Sequence, residues 1–573
     1  MKPPIGKSRW LQIIHGQLSG KQSIQTSYTR LWVIYIVFFL LFAALVIRLI
    51  SVAAFVNDDS QETSVSNSED TTFRRREIVD RNGELIAINL ATASLYADPR
   101  YILDAAEAAK KLHRILPEIP EKELLEKFTS DKHFIWIKRN LTPKEQYAIN
   151  SLGIPGLKFQ GEEKRIYPKG SLFAHALGYV GLDGFGLAGM EKKLDKELTD
   201  SKKLDEPLQV SLDVRIQGIL HEELSHYKNE FEATGAVGVV MDVNTGEVLA
   251  MVSLPDFDPQ DPGHATSDQL FNRVTLGVFE MGSTFKIFTT AMALDTGAVS
   301  IRGGYDVSKP IRVGRFAIHD YHPKAGWLSV PEILIYSSNI GTAKMAIDVG
   351  SDVQQYFLKE LGMLSQSPIE LPEKGTPIYP SKWSEASMMT VSYGHGIAVT
   401  PMHVVSGVSA MVNGGTLYNA TLLKHKKGYI SKASIISAKT SRLMRQLLRM
   451  VVEDGTGSKA DAEGYMVGGK TGTAEKVGDS GRYKKKALVS SFIGVFPIQK
   501  PRYVVLAMLD EPKGDKSTGY YATGGQVAAP VVKNVVSRIA PILGVMPVDK
   551  NSEEIRRHFW VELKADGKDV ATY

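Results

Sequence analysis

Three short groups of residues have the side chains and spacing from which acyl-transfer chemistry can be built. The first is Ser283 and Lys286 in EMGSTFKIFTTAMAL, three positions apart at the head of an apolar helical segment. Residues i and i+3 share a helix face, so the amine of Lys286 can reach the Ser283 hydroxyl. Serine is a poor nucleophile without a base, and lysine becomes a base only where burial or a nearby cation lowers its pKa. A helix start also points free backbone N–H groups outward, which favours negative charge on the hydroxyl oxygen. The second group is Ser337-Ser338-Asn339 in LIYSSNIGTAKM. It offers a second hydroxyl as proton relay and an amide to hold a peptide carbonyl. The third is Lys470-Thr471-Gly472-Thr473 in VGGKTGTAEKV. It offers a second cation, two hydroxyls to grip a carboxylate, and a glycine that lets a strand approach bound substrate closely.

Each group has a plainer reading when taken alone. Ser-x-x-Lys recurs at Ser225 and Lys228, on the solvated side of a helix in HEELSHYKNEF. Ser337 can be a helix cap, and Gly468 to Gly472 a turn. His221 and His226 suggest a zinc-binding His-Glu-x-x-His, but their spacing of five takes the imidazoles off a common helix face, so no metal is expected. The absence of cysteine excludes a thiol nucleophile, a disulfide framework, a zinc ribbon and an iron–sulfur cluster. What carries weight is the occurrence of all three groups in order.

Elements that could position them follow from composition and periodicity. At 573 residues, with 43% hydrophobic and 23% charged content, the chain folds and exceeds one domain, about three to four by length. A net charge of +5 over this length is too weak for a nucleic-acid surface. The run LWVIYIVFFLLFAALVI, seventeen residues from Leu31 to Ile47, has no formal charge and is long enough to span a bilayer. Lys2, Lys7, Arg9, Lys21 and Arg30 precede it, whereas Asp58, Asp59, Glu62, Glu69 and Asp70 follow. Positive-inside logic then puts the N-terminus in the cytoplasm and the rest outside, on an uncleaved anchor. Residues 56–72 are nearly all polar and read as a tether.

Beyond the tether, RREIVDRNGELIAI reads as a hairpin turning at Asn82 and Gly83, and Leu103 to Ile115 as an amphipathic helix, together an irregular α+β domain. LQVSLDVRIQGILHEELSHYKNEF reads as a strand running into a long helix, and AVGVVMDVNTGEVLAMVS as a strand hairpin. VSSFIGVFP and RYVVLAMLDEP are late apolar strands. Strands at both ends with helices between them describe a second α+β domain whose helices are inserted into a sheet.

The ordered triple resembles the penicilloyl-serine transferase signature, and nearly the whole chain is similar to monofunctional class B penicillin-binding proteins. RREIVDRNG is similar to the start of the family's pedestal, with Arg76 where glycine is usual. KRIYPKGSLFAHALGYVG, GLAGMEKKLDKEL and SYGHGIAVTPMHVV resemble further family segments, while Phe279-Glu280-Met281 departs from the usual Tyr-Glu-Pro. The pedestal, with FIWIKRNLTPKEQYAI and IPGL, looks most like the division-specific, FtsI-type member.

The resemblance implies a cytoplasmic basic tail (1–30), a transmembrane anchor (31–50), a polar tether (51–72), a pedestal (73–206), a transpeptidase domain (207–545) and a C-terminal tail (546–573). The expected fold is α+β, with an antiparallel sheet flanked by helices in a penicillin-binding, β-lactamase-like catalytic domain. The implied reaction is peptidoglycan D,D-transpeptidation at the outer face of the inner membrane, with no cofactor. In it Ser283 is the nucleophile, Lys286 the base, and Ser337 with Lys470 the proton relay. Asn339 orients the donor peptide, and Thr471 and Thr473, beside Gly472, bind the terminal carboxylate. The N–H groups of Ser283 and Thr473 form the oxyanion hole. Expected partners are D-Ala-D-Ala stem peptides, an amine acceptor, β-lactams, a glycosyltransferase and division proteins. A D,D-carboxypeptidase, a β-lactamase, and a β-lactam sensor or non-catalytic scaffold are the alternatives. His319, His322 and His395 read as structural or substrate-rim residues.

Overall fold

A computed structural model describes Trp32, residues 35–46 and residues 74–570 apart from 314–315, 426–433, 478–482, 560–562 and 566–567. The chain divides into two units, Met1–Thr71 and Thr72–Tyr573. In the first, residues 35–46 are helical. Among the described residues no helix is long and apolar enough to cross a membrane. The expected basic tail and polar tether lie outside the described residues.

The second unit opens with a five-stranded sheet of β1 (Ile78–Val79), β2 (Leu85–Ala97), β3 (Ile135–Leu141), β4 (Leu157–Ile166) and β5 (Leu208–Gln209). The long strand β2 is its spine, pairing antiparallel with β1, β3 and β4, while β5 joins β1 in parallel. Helices Ala105–Ile115, Glu121–Phe128 and Pro143–Asn150 complete a small core around Leu95, Leu112, Leu124 and Phe128.

The RREIVDRNG segment explains itself in three dimensions. Asp80 accepts bonds from the backbone N–H groups of Asn82 (2.7 Å) and Glu84 (2.9 Å), closing the β1–β2 turn over Gly83 at φ 92°. The turn also ties down the helix Val214–Glu230, because Val214 N–H donates to Asp80 (3.1 Å) and Asn82 donates to Asp213 (2.9 Å). Arg75 is buried against Glu191 (3.0 Å), whose other oxygen takes Arg165 (2.7 Å). Arg76, in place of the usual glycine, donates to the Glu206 carbonyl at 2.7 Å.

The main sheet contains β6 (Gly235–Asp242), β7 (Val248–Leu254) and the late strands β12 (Gly468–Val477), β13 (Tyr483–Phe496) and β14 (Tyr503–Asp510), in the order β12-β13-β14-β6-β7. All neighbours are antiparallel. Four short strands lie between, β8 (Gly304–Asp306), β9 (Ile311–Val313), β10 (Phe316–Ile318) and β11 (Trp327–Ser329), forming two ribbons. Side-chain alternation divides the sheet's faces. Val239, Met241, Leu506 and Met508 join one core with the helices Lys286–Asp295, Pro401–Val412 and Ala438–Glu453. Val240, Val505 and Leu509 join the other with Val214–Glu230 and Ala529–Ile542.

The C-terminal residues expected to be a tail carry a helix, Glu553–Phe559, and a ribbon of β15 (Leu563–Ala565) and β16 (Lys568–Val570). Val548, Ile555 and Phe559 pack on the main core.

Candidate active site

Ser283 lies in a single 3-10 turn, Gly282–Phe285, that feeds the buried helix Lys286–Asp295. The turn stands back to back with β12. A Cβ on Gly282, whose φ is 53°, would sit 2.5 Å from the Thr473 carbonyl oxygen, and one on Gly472 would sit 2.6 Å from that of Met281. Glycine at both positions is therefore the condition for bringing the serine against Lys470–Thr473.

Ser337 holds the site together. It lies just after helix Val330–Ile335, in a left-handed conformation with φ 60°. Lys286 Nζ donates to its Oγ (3.1 Å) and carbonyl (2.5 Å), and Lys470 Nζ donates to the same Oγ at 3.0 Å. One hydroxyl thus touches both amines. Lys286 and Lys470 are each 0% exposed. Burial, then the Lys470 charge, hold Lys286 well below the usual lysine range, with Asp320 opposing. Burial lowers Lys470 to about 7.

The remaining predicted residues surround this pair. Asn339 opens the helix Asn339–Val349, and its amide donates to the His319 carbonyl (2.9 Å). Thr471 Oγ1 is 2.9 Å from Thr456 Oγ1 and accepts from Lys470 (3.3 Å), while Thr473 Oγ1 accepts the Gly524 N–H (3.0 Å). Ser225 and Lys228 lie on the helix Val214–Glu230, across the sheet from Ser283. His221 pairs with Asp256 (2.9 Å) and His226 with Glu230 (3.5 Å), so the two imidazoles serve different partners.

Several contributors escape sequence reasoning. Asp320 accepts from Ser338 Oγ (2.6 Å) and Ile340 N–H (2.9 Å), fixing the loop that presents Ser337. No periodicity or spacing singles it out. Glu280, three residues before the serine, accepts from Gly396 N–H (2.9 Å) and Tyr483 OH (3.0 Å) and pairs with His395 (3.2 Å). His395 stacks on Tyr483 at 4.7 Å, so it belongs to a wall beside the nucleophile turn. His319 contributes only a carbonyl to Asn339, and His322 packs on Tyr321. Thr456 and Gly524 carry no sequence signal beyond turn composition.

A partly exposed serine on a turn packed against β12, with two buried amines bridged by one hydroxyl on the neighbouring elements, suits acyl transfer through a covalent ester. The penicillin binding protein transpeptidase domain pattern matches residues 236–537, more than half of the chain, and the penicillin-binding protein dimerisation domain pattern matches residues 71–206. The chain belongs to the class B penicillin-binding proteins. This penicillin-binding protein is 42% identical over 481 residues, 82% of each chain, to a probable peptidoglycan D,D-transpeptidase FtsI of Caulobacter vibrioides. It is 28% identical over 502 residues to the peptidoglycan D,D-transpeptidase FtsI of Escherichia coli, covering 82% of this chain and 84% of that one. Penicillin-binding protein 3 of Mycobacterium tuberculosis, solved with aztreonam, shares the fold with a TM-score of 0.65 at 24% identity, over 83% of this chain and 98% of that one.

Proposed function

We propose that this protein is a peptidoglycan D,D-transpeptidase that cross-links stem peptides through an ester on Ser283, in septal wall synthesis, and that β-lactams acylate the same serine. The observation that carries the reading is the Ser337 hydroxyl shared by Lys286 and Lys470, at 3.1 and 3.0 Å. Neutral Lys286 takes the Ser283 proton as Oγ attacks the penultimate D-alanyl carbonyl. The resulting oxyanion is met by the N–H groups of Ser283 and Thr473, commonly the largest electrostatic contribution to acyl transfer. The C–N bond breaks, and the proton passes through Ser337, assisted by Lys470, to the departing D-alanine amine. An acceptor amine then attacks the ester, gives its proton to Lys286 and restores the serine. Asn339 holds the donor backbone, and Thr471 and Thr473 hold the terminal carboxylate in the approach that Gly472 leaves open.

In this reading residues 73–206 form the pedestal and 207–545 the catalytic domain. Residues 31–50 anchor the chain in the inner membrane with the catalytic domain outside, where a glycosyltransferase and division proteins are its partners. The identity to FtsI relatives supports the septal role. Labelling with fluorescent penicillin and mapping the modified peptide tests the site. One adduct on Ser283, lost in Ser283→Ala, is expected, and an adduct retained in that variant refutes it.

A further inference from the structure

The turn between β13 and β14 borders a half-open cavity of about 830 Å³, together with the first half of helix Ala438–Glu453 and the residues following Ala529–Ile542. Pockets of roughly 300–1,000 Å³ hold small ligands. None of the proposed catalytic or substrate-binding residues lines it. Its charged lining is Arg442, Arg445, Lys500 and Arg502, without an aspartate or glutamate.

These cations lack the partners that arginines elsewhere in the fold possess. Arg449, one turn further along the same helix, is paired with Glu453 (2.9 Å) and Asp461 (2.7 Å). Among the described residues, none of the four lining cations makes an ion pair. Arg445 Nη1 donates to the Gln499 carbonyl (3.3 Å), whereas its Nε is buried with no acceptor. Burial and the neighbouring Arg442 charge pull its guanidinium below the ordinary arginine value. Arg502 donates to Tyr503 OH (2.9 Å) and lies 5.0 Å over that ring; its charge also acts on Asp242. Gln499 Oε1 is buried with no donor. A buried donor and a buried acceptor left unmet each cost free energy that a ligand would restore.

We propose that this cavity binds a phosphate ester with a free hydroxyl, its phosphate held by Arg442, Arg445 and Lys500 and its hydroxyl donated to Gln499 Oε1. Guanidinium forks match phosphate oxygens in pairs, which favours phosphate over a lone halide. Val545 and Met546 line the cavity and suit a short carbon skeleton beside these charges. The same chemistry belongs to a free sugar or glycerol phosphate and to a phosphatidylglycerol headgroup.

The test is calorimetric titration of the full chain in non-ionic detergent with glycerol 3-phosphate, and with methyl phosphate, which lacks the hydroxyl. Saturable binding of glycerol 3-phosphate, weaker for methyl phosphate, is expected. Arg442→Gln with Lys500→Gln should weaken it about tenfold or more, as for a lost charge-assisted hydrogen bond. Both residues are exposed and away from the serine, so acylation of that variant by fluorescent penicillin at the parental rate checks that it is folded. Phosphatidylglycerol doped into the micelles identifies the source. Competition with glycerol 3-phosphate assigns a lipid headgroup, and its absence a free ester. No saturable binding at millimolar glycerol 3-phosphate, undiminished binding by the variant, or binding of an acidic peptide instead overturns the proposal.

Discussion

Ser337 allows backbone strain to be separated from proton transfer. Its φ of 60° lies where a non-glycine residue costs about 1–2 kcal/mol. Its Oγ lies 3.1 and 3.0 Å from the two lysine amines. Ser337→Gly releases the strain but adds about 0.5–1 kcal/mol of unfolded-chain entropy, so folding stability should change by about 1 kcal/mol or less. Ser337→Ala keeps the strain and removes the oxygen. Lys286 retains the Ser337 carbonyl and Lys470 the Thr471 oxygens, so the loss should be close to one ordinary hydrogen bond, about 1 kcal/mol. Acylation should respond quite differently. Both variants remove the atom common to the two amines, and losing a proton relay of this kind slows reaction about 10²- to 10⁴-fold, or roughly 3–5 kcal/mol of barrier. The assay is the second-order rate of acylation by fluorescent penicillin, followed by intact mass, beside a melting curve for each variant. Parent-like acylation in Ser337→Gly would refute the relay. If only Ser337→Gly were slow, backbone conformation and not the hydroxyl would be the controlling feature.

Three further outcomes can be checked directly. Acylation needs Lys286 neutral, a form favoured by its burial and by the Lys470 charge, and Lys470 protonated, which is lost as pH rises through about 7. The acylation rate of the free enzyme should therefore fall above about 7, and Lys470→Met should abolish that alkaline limb; a rate still climbing well above neutrality contradicts the assignment. Glu191 is 0% exposed between Arg75 and Arg165, so Glu191→Ala should cost about 3–5 kcal/mol of stability by denaturant unfolding, and a loss under about 1 kcal/mol would show that the network contributes little. The penicilloyl adduct should persist for many minutes by intact mass, because two glutamates that follow the second motif are engaged by other partners, Glu370 by Thr421 and Leu422 and Glu453 by Arg449. Recovery of free Ser283 within seconds would assign a hydrolase.

The parts of this molecule legible in its sequence are those where local pattern and tertiary role agree. The apolar runs that became β6, β7, β13 and β14 alternate between two cores, so their period already declares buried strands. The segment GGKTGTAEKV is different. It is rich in glycine and polar residues, and its strand state comes from pairing with β13, with Lys470 opposite Ile493 and Thr473 opposite Ser490. Its spacing revealed the chemistry, while its local propensity left a turn equally open. Asp320 was invisible because its partners, Ser338 and Ile340, are 18 and 20 residues away and bind through a hydroxyl and a backbone N–H. The two-residue pairing of β1 with β5 links positions 130 residues apart and has no periodicity to read.

The placement of Asp320 bears on why the site works at all. Burying two ammonium groups costs several kcal/mol each unless a counter-charge is supplied, and a carboxylate touching them would be the direct remedy. Here the carboxylate stops one residue short. Both Asp320 oxygens are engaged by Ser338 and Ile340, whereas Lys286 and Lys470 meet only hydroxyl and carbonyl oxygens at Ser337 and Thr471. From that distance Asp320 still pulls the Lys286 pKa upward, against the larger effects of burial and Lys470. Were the carboxylate bonded to Ser337 instead, within reach of both amines, it would favour their charged forms and remove the neutral base on which acylation depends. The fold thus lets the carboxylate order the loop through a neighbouring serine. The cost of two buried amines with no carboxylate partner falls on the core on that face of the sheet, to which Phe285 and Phe288, flanking Lys286 in the chain, contribute.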